Sequence, residues 1–293
     1  MNKLPADKRN MILHLLVAGS SMRSITRLTG VSINTVTKLL IDAGEACAEY
    51  HDKTVRNVQS RRLVLDEIWS FTYCKDKNTE KATKAPEWAG DTWTWTAIDA
   101  DTKLIVSYSV GGRDSDYAKE FVGDVAERLA TRVQLTTDGL KAYLEAVEGA
   151  FGADVDYAQL VKMYGKSPEG EKQYSPVECT GIKKKTITGD PDKNLVSTSY
   201  VERHNPTMRM AMRRFTRLTN AFSKRIQNHI HMLSLYFVYY NFCRIHQTLK
   251  VTPVMEAGIT GGLKGIEFIG ELIDARQAPP KKRGPYKKRE ISN

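Results

Sequence analysis

The sequence has no C-x-x-C pair. Its four cysteines, Cys47, Cys74, Cys179 and Cys243, are scattered along the chain, which argues against a zinc knuckle and against a disulfide framework. It also has no apolar run approaching the ~20 residues that span a bilayer, so membrane insertion is not expected. The opening stretch MNKLPADKRN is charged and leads into no apolar segment closed by small residues, unlike a secretory signal. Acids are scarce in two places: Asp7 is the only one before Asp42, and none lies between Arg203 and Arg225.

What is present has the balance of a globular protein, with 41% hydrophobic and 27% charged residues in a chain of 293. That length predicts one sizeable core and a smaller satellite. The formal charge of +10 suits a polyanionic partner such as nucleic acid. Six of those charges, on Lys281, Lys282, Arg283, Lys287, Lys288 and Arg289, fall in the Pro- and Lys-rich tail APPKKRGPYKKRE. Such a tail cannot bury a core and is expected to order only when bound, adding sequence-independent DNA affinity.

Near the N-terminus, Ile12, Leu13, Leu15, Leu16 and Val17 predict one amphipathic helix. The next stretch, SMRSITRLTGVSINTVTKLLIDAG, reads as a helix, a tight turn at Gly30, and a second helix capped by Ser32 with Val36, Leu39 and Leu40 inward. That is helix-turn-helix spacing. Three-helix bundles share it, but the basic residues favour DNA: Asn34, Thr35 and Lys38 would face base edges in the major groove, and Arg23 and Arg27 would meet phosphates. Residues 1–45 are therefore read as an all-α DNA-binding domain and 46–61 as a helical linker.

From residue 62 the pattern changes to strands. RLVLDEIWSFTY is rich in branched and aromatic residues, and TWTWTAIDADTKLIVSYSV reads as two strands joined at residues 99–103. A helix carrying Phe121, Val122, Val125 and Leu129 follows, then the short buried strand RVQLTTDG and a helix at 140–147. This order predicts a mixed α/β sheet flanked by helices and resembles the RNase H-like fold. The reading weakens between 149 and 199, where a strand at 155–163 and an insertion with a mobile loop, about 150–198, are expected. Residues 203–225 read as a basic helical region, with Arg209, Arg213 and Arg217 recurring every four residues as one stripe to hold DNA. Tyr236, Phe237, Tyr240 and Phe242 in HIHMLSLYFVYYNFCRIH read as core packing rather than base-stacking groups. A C-terminal helix and the basic tail occupy 259–293.

Three acids stand where acids need a reason. Asp66 interrupts the apolar strand Leu63, Val64, Leu65, Ile68, where a charge is costly unless it is paired or binds metal. Asp138 follows a buried run, and Gly139 beside it permits close approach of a ligand. Glu202 fronts the basic region, where Arg203, His204, Asn205 and Arg209 could contact phosphates. Cleaving a phosphodiester needs an activated water and a stabilised leaving oxygen. Two Mg2+ or Mn2+ ions held by three or four carboxylates supply both. Among rival acids, Glu67 points to the opposite strand face from Asp66 and is a weak alternative. Asp99 and Asp101 sit in a turn signal, and Asp190 is a further rival. A lone histidine such as His204 is more often structural than functional.

The stretches VLDEIWSF, TTDGLKAY, STSYVERHN and YYNFCRIHQTLKVTP, in that order, resemble bacterial insertion-sequence transposases of the DDE superfamily, particularly those grouped with insertion sequence one. The resemblance runs from the helix-turn-helix to about Gly258. It implies an RNase H-like catalytic domain over residues 62–258, a metal-binding triad of Asp66, Asp138 and Glu202, and cleavage and strand transfer of double-stranded DNA. It further implies a homo-oligomer on paired transposon ends and a cytoplasmic, nucleoid-associated location. The chain departs from many members of that group in lacking a cysteine zinc ribbon. Pro206 also removes a helical hydrogen bond near the third acid, unless a helix starts there with Asn205 as its cap. A transposase-derived DNA-binding regulator and an RNase H-like structure-specific nuclease are the competing readings.

Overall fold

The computed structural model describes residues 4–165, 179–216 and 220–276. Six strands form one mixed sheet: β1 (Arg62–Thr72), β2 (Gly90–Asp99), β3 (Ile105–Gly111), β4 (Val133–Thr137), β5 (Val155–Tyr164) and β6 (Cys179–Thr188), in the order β3-β2-β1-β4-β5-β6. The first three are antiparallel, and β4 and β5 run parallel to β1. Strands one to five, so ordered, make the sheet of the RNase H-like class anticipated from the sequence, with a helical N-terminal region.

The sheet carries helices on both faces. Helices α4 (Ser115–Arg128) and α5 (Ala142–Phe151) cover one: Trp95 of β2 lies 5.9 Å from Phe121 and 5.5 Å from Tyr143, ring centre to ring centre. The other face meets α6 (Ser199–Ala211), α7 (Ile226–Val238) and α3 (Ile33–Thr54), with Tyr108 of β3 packed 4.6 Å from Phe237. Tyr236, Phe237, Tyr240 and Phe242 are all buried, as core packing requires.

The N-terminal helices α1 (Ala6–Val17), α2 (Met22–Thr29) and α3 form as their sequence signals dictate. Ser21 caps α2 through Ser24 N, Gly30 ends it in the left-handed conformation, and Ser32 caps α3 through Thr35 N. One continuous α3 spans both the second helix of the expected helix-turn-helix and the first part of the expected linker; it ends at Thr54, so residues 55–61 are not the helix expected there. Its 22 residues make a rod of about 33 Å that crosses α7 with Gly44 against the backbone of His231; a Cβ at Gly44 would lie 2.3 Å from His231 Cβ. A polar clamp joins α3, β3 and the π-helical segment after α7. Asn241 accepts from Ile105 N at 3.0 Å and donates to Ile105 O at 2.9 Å, and His51 Nε2 lies 3.1 Å from the same carbonyl. These bonds satisfy backbone groups at a buried sheet edge. Two short helices, α8 (Pro253–Glu256) and α9 (Glu267–Arg276), come last among the described residues, and Arg9 of α1 pairs with Asp274 of α9.

Two features differ from the sequence expectation. The region read as an insertion contributes β6, an edge strand pairing with β5; it is exposed on both faces and carries Lys183, Lys184 and Lys185, so it shows no alternation to read. The basic region from 203 is not one helix. α6 ends at Ala211, Met212 turns extended at φ −130° and ψ 106°, and Arg213–Phe215 form a 3-10 turn. Met212 and Phe215 are 1% and 2% exposed, so burying them breaks the helix and Arg209 and Arg213 do not share a helical stripe. Arg217 and the tail residues Lys281 to Arg289 lie outside the described residues.

Candidate metal centre

The register of β1 against β4 builds the site. Arg62 pairs with Gln134, Leu63 with Leu135 and Val64 with Thr136, and there the ladder stops. Continuing the same offset brings Asp66 level with Asp138, just past the last pair, where the parallel strands part. Open α/β sheets bind ligands in the crevice beyond the carboxyl ends of such strands. A cleft of about 710 Å³ lies there, lined by Asp66, Arg113, Asp138, Lys162, Thr198 and Glu202 among others. All three acids singled out from the sequence therefore face one cavity, delivered by β1, the end of β4 and the first turn of α6.

Asp66, Glu67 and Asp138 each offer an oxygen within 4.8 Å of the others. The neighbours in sequence occupy opposite sides of β1. Asp66 accepts from Asn205 Nδ2 at 2.8 Å, whereas Glu67 is bound by Arg113 at 2.7 Å and by the Tyr143 hydroxyl at 3.0 Å. Because Asp138 stands at the strand end, it comes close to both. Burial, followed by repulsion from Glu67 and Asp138, pushes the Asp66 pKa up to about 7. Burial and Asp138 also raise Glu67, against the lowering influence of Arg113 and Tyr143. Asp138 itself is oriented by Leu140 N, which donates to its Oδ1 at 2.9 Å.

Glu202 approaches from the other wall. Its carboxylate accepts from Thr198 Oγ1 and is gripped by Lys162 of β5, whose Nζ is 2.5 Å from both oxygens. Burial lowers the Lys162 pKa, but the bond and charge of Glu202 outweigh it and the net shift is upward. Pro206 is internal to α6, which starts at Ser199, so Asn205 is not a helix cap. The carbonyl that a proline at 206 leaves without its helical partner is that of Glu202.

The donor set fits divalent cations. Asp66, Asp138 and Glu202 offer hard oxygens to one cavity, burial and the neighbouring Glu67 and Asp138 raise the Asp66 pKa, and the Asn205 Oδ1 acceptor beside Asp66 is buried without a hydrogen-bond partner. Glu67 and Glu202 both have their oxygens engaged, Glu67 by Arg113 and Tyr143 and Glu202 by Lys162 and Thr198, and Glu67 rather than Glu202 has an oxygen within 4.8 Å of both Asp66 and Asp138.

The remaining sequence-derived residues divide by position. Arg23, Arg27, Asn34, Thr35 and Lys38 are exposed on α2 and the start of α3, with Lys38 paired to Asp42. Arg203 and Arg213 are exposed, and Arg209 folds its guanidinium onto the Phe215 carbonyl at 2.9 Å. His204 is corrected: it is 4% exposed, packed 4.8 Å from the Tyr240 ring, and burial with the nearby Arg244 and His246 lowers its pKa to about 3. A neutral, enclosed ring does not meet a phosphate. Asn205 is turned toward Asp66 rather than toward an open surface. Of the rival acids, Asp99 accepts from Asp101 N and Thr102 N in a local turn, Asp101 pairs with Arg62, and Asp190 is exposed beyond the end of β6.

No protein-family model and no curated protein matches the sequence. Among solved structures, the chain is similar to a piggyBac transposase synaptic complex with hairpin DNA at 8% identity and a TM-score of 0.40, covering 96% of this chain and 75% of that one. It is similar to the Mos1 strand transfer complex at 11% identity and a TM-score of 0.35, covering 94% and 80%. The Mos1 mariner paired-end complex with Mn gives 9% identity and a TM-score of 0.34 over 94% and 79%. These are distant likenesses.

Lys162, Arg113, Tyr143 and the Asp66–Asn205 bond escape sequence reasoning. Each depends on a partner between 40 and 139 residues away in the chain, and no local pattern announces such a pairing.

Proposed function

We propose that this protein is a DNA transposase of the DDE kind, which binds transposon ends and catalyses metal-dependent strand cleavage and strand transfer. The observation that carries the reading is the convergence of Asp66, Asp138 and Glu202 on one cleft furnished with the cations Arg113 and Lys162. Asp66 and Asp138 would hold one Mg2+ or Mn2+, and Glu202 with Asp66 a second. Bound there, such ions supply an activated water and stabilise the leaving oxygen. The chain's own groups do the rest. Asn205 holds the Asp66 carboxylate in place, and Arg113, fixed by Glu67, keeps a positive charge at the cleft edge, where the scissile phosphate would pass. Lys162, paired with Glu202, sets a second positive charge in the same cleft, where it would meet the same phosphate.

Residues 1–45 are proposed as the end-reading module, with Asn34, Thr35 and Lys38 toward bases and Arg23 and Arg27 toward phosphates. Residues 46–61 lead into the catalytic part, residues 62–258. Arg203, Arg209 and Arg213 would steady the DNA beside the cleft, and the tail from Lys281 to Arg289 would add affinity for any duplex. An insertion-sequence-one-like bacterial origin, a homo-oligomer on paired ends, and a cytoplasmic, nucleoid-associated location complete the proposal. Among the described residues no helix is long and apolar enough to cross a membrane.

The test is cleavage and joining of DNA carrying the inverted repeats that flank the gene, in Mg2+ and in Mn2+. Asp66→Asn, Asp138→Asn and Glu202→Gln should each abolish both reactions and leave DNA binding nearly intact. Near-normal cleavage by any one of them would remove that residue from the triad.

A further inference from the structure

After Glu202 the sequence holds no acid until Glu256, so the charged side chains from α6 through α7 are all positive. Arg213, Lys224 and Arg225 are exposed. Arg214, in the 3-10 turn after α6, instead folds back on the chain, and its Nη1 donates to the buried Ser223 Oγ at 2.6 Å. Ser223 is in turn fixed by the sheet. It forms a parallel bridge with Thr72, its carbonyl accepts from Tyr73 N at 2.8 Å, and its hydroxyl lies 3.5 Å from Nδ1 of the fully enclosed His229.

The guanidinium at the centre of this arrangement lacks a counter-charge. Among the described residues no carboxylate pairs with Arg214, and burial alone lowers its pKa, to about 10. His229 supplies no negative charge either: burial and Arg214 bring its pKa down to about 3, so the ring is neutral. A guanidinium carries five donors, and buried charges are ordinarily paired. Ser223 engages one side of the fork, and the other calls for an anion. Arg214 remains partly exposed, so that anion can come from outside.

Position indicates which anion. β4 leaves the flank of β1 after Val64, and Ser223 takes the same flank at Thr72, since β2 fills the opposite one as far as Gly90. From Asp66 to Thr72 the strand runs about 20 Å, the axial length of about six phosphates on one strand of a duplex. The turn between α1 and α2 closes on the same region: a Cβ on Gly19 would lie 3.0 Å from the carbonyl oxygens of Met210 and Ala211. Arg214 thus stands beside the N-terminal helices, along the flank of β1 that starts at the acid cleft. A free anion needs no such alignment, whereas a polynucleotide does.

We propose that Arg214, braced by Ser223 and rimmed by Arg213, Lys224 and Arg225, seats a backbone phosphate of DNA extending from the acid cleft. The inference deepens the transposase reading and rests on it for the identity of the polymer. The phosphate oxygens accept the guanidinium N–H groups that Ser223 leaves free and supply the charge that the fold omits. Such a contact positions any sequence alike, because it is made to the backbone.

In the experiment the full chain without metal is titrated with a fluorescein-labelled duplex of random sequence over a series of NaCl concentrations, read by anisotropy. Arg214→Gln should weaken binding and flatten the plot of log affinity against log salt by ~0.9, one phosphate contact; from ~50 to ~200 mM salt the parent should lose about 3-fold more affinity than the variant. Arg214→Lys should keep the slope, because the charge remains. Without DNA, Arg214→Gln should melt at or above the parent, since it removes a charge that the free protein leaves uncompensated. The proposal is overturned if Arg214→Gln keeps the parent's slope, or if it melts below the parent and so marks the guanidinium as a packing group. It is equally overturned if inorganic phosphate raises the melting temperature through Arg214 while the duplex slope is unchanged, which would assign the seat to a free anion. Cleavage by the parent in Mg2+, measured separately, distinguishes the two ideas. Cleavage with a salt slope indifferent to Arg214 sinks only this inference, and a slope that depends on Arg214 without cleavage sinks only the transposase reading.

Discussion

Replacing Asp66 by Asn should stabilise the metal-free protein at pH 8 while destroying its response to metal. Burial and the Glu67 and Asp138 carboxylates push the Asp66 pKa up to about 7. In the unfolded chain an aspartate titrates near 3.9. A folded pKa above the unfolded one means that the native state binds the proton more tightly. Asp66 is therefore neutral for stability below pH ~4, and its presence costs increasing stability as pH rises from there to about 7. Three pKa units at 1.36 kcal/mol each set an upper bound of about 4 kcal/mol above pH 7, and relaxation around the carboxylate should leave roughly half of it. For a chain of this size ~2 kcal/mol corresponds to a melting temperature about 4–8 °C higher. Asparagine keeps the shape and an oxygen to accept from Asn205, so the packing change is small. The assay is thermal unfolding from pH 4 to pH 8, with and without MgCl2 or MnCl2. The parent should lose stability across that window and regain it on adding metal at pH 8, since a ligand that binds only the native state stabilises it by mass action. Asp66→Asn should melt higher than the parent at pH 8, match it at pH 4, and show much less metal-induced gain. Equal melting curves at pH 8 together with no metal-induced gain in the parent would falsify the reading of Asp66 as an uncompensated ligand.

Lys162→Ala should tighten metal binding measured by calorimetry, by about 2- to 5-fold if the partly exposed pair with Glu202 is worth ~0.5–1 kcal/mol, and should slow cleavage; weaker metal binding would show that Lys162 orders the site rather than competing for it. Gly44→Ala gains ~1 kcal/mol of helix propensity, but its Cβ would meet the His231 backbone at 2.5 Å, and overpacking of ~1–3 kcal/mol should dominate; a denaturation midpoint equal to or above the parent's would refute the close α3–α7 crossing. Asn241→Leu should cost ~1–3 kcal/mol, because the buried Ile105 N–H is left unpaired while His51 still reaches the Ile105 carbonyl, seen as a lower urea midpoint; an unchanged midpoint would refute the clamp. Alanine at Asn34 or Lys38 should reduce discrimination between transposon-end and scrambled duplexes by ~1–3 kcal/mol, with non-specific affinity kept; unchanged discrimination would move sequence reading elsewhere.

The sequence by itself determined the elements and the cast of acids. Alternating branched and aromatic residues wrote β1 to β3, Gly30 and Ser32 punctuated the N-terminal helices, and an aspartate inside an apolar strand marked Asp66, because these signals act within a few residues of themselves. Even the spacing of Asp66 and Asp138 is the offset of the β1–β4 ladder, although that equality has meaning only once the pairing is known. Tertiary structure decided what distant partners decide. It ended α6 at Ala211, because burying Met212 and Phe215 outweighed helix continuity. It made an edge strand of a lysine-rich segment with no alternation, because β5 offered an unpaired ladder. It turned His204 into the core and Asn205 onto Asp66, placements that a row of polar residues in one helix does not distinguish. It also gave Glu202 to Lys162 and Glu67 to Arg113 and Tyr143. Charge pairing in the cleft is set by the geometry of strand ends rather than by order along the chain, so only the folded molecule shows which cation each carboxylate meets.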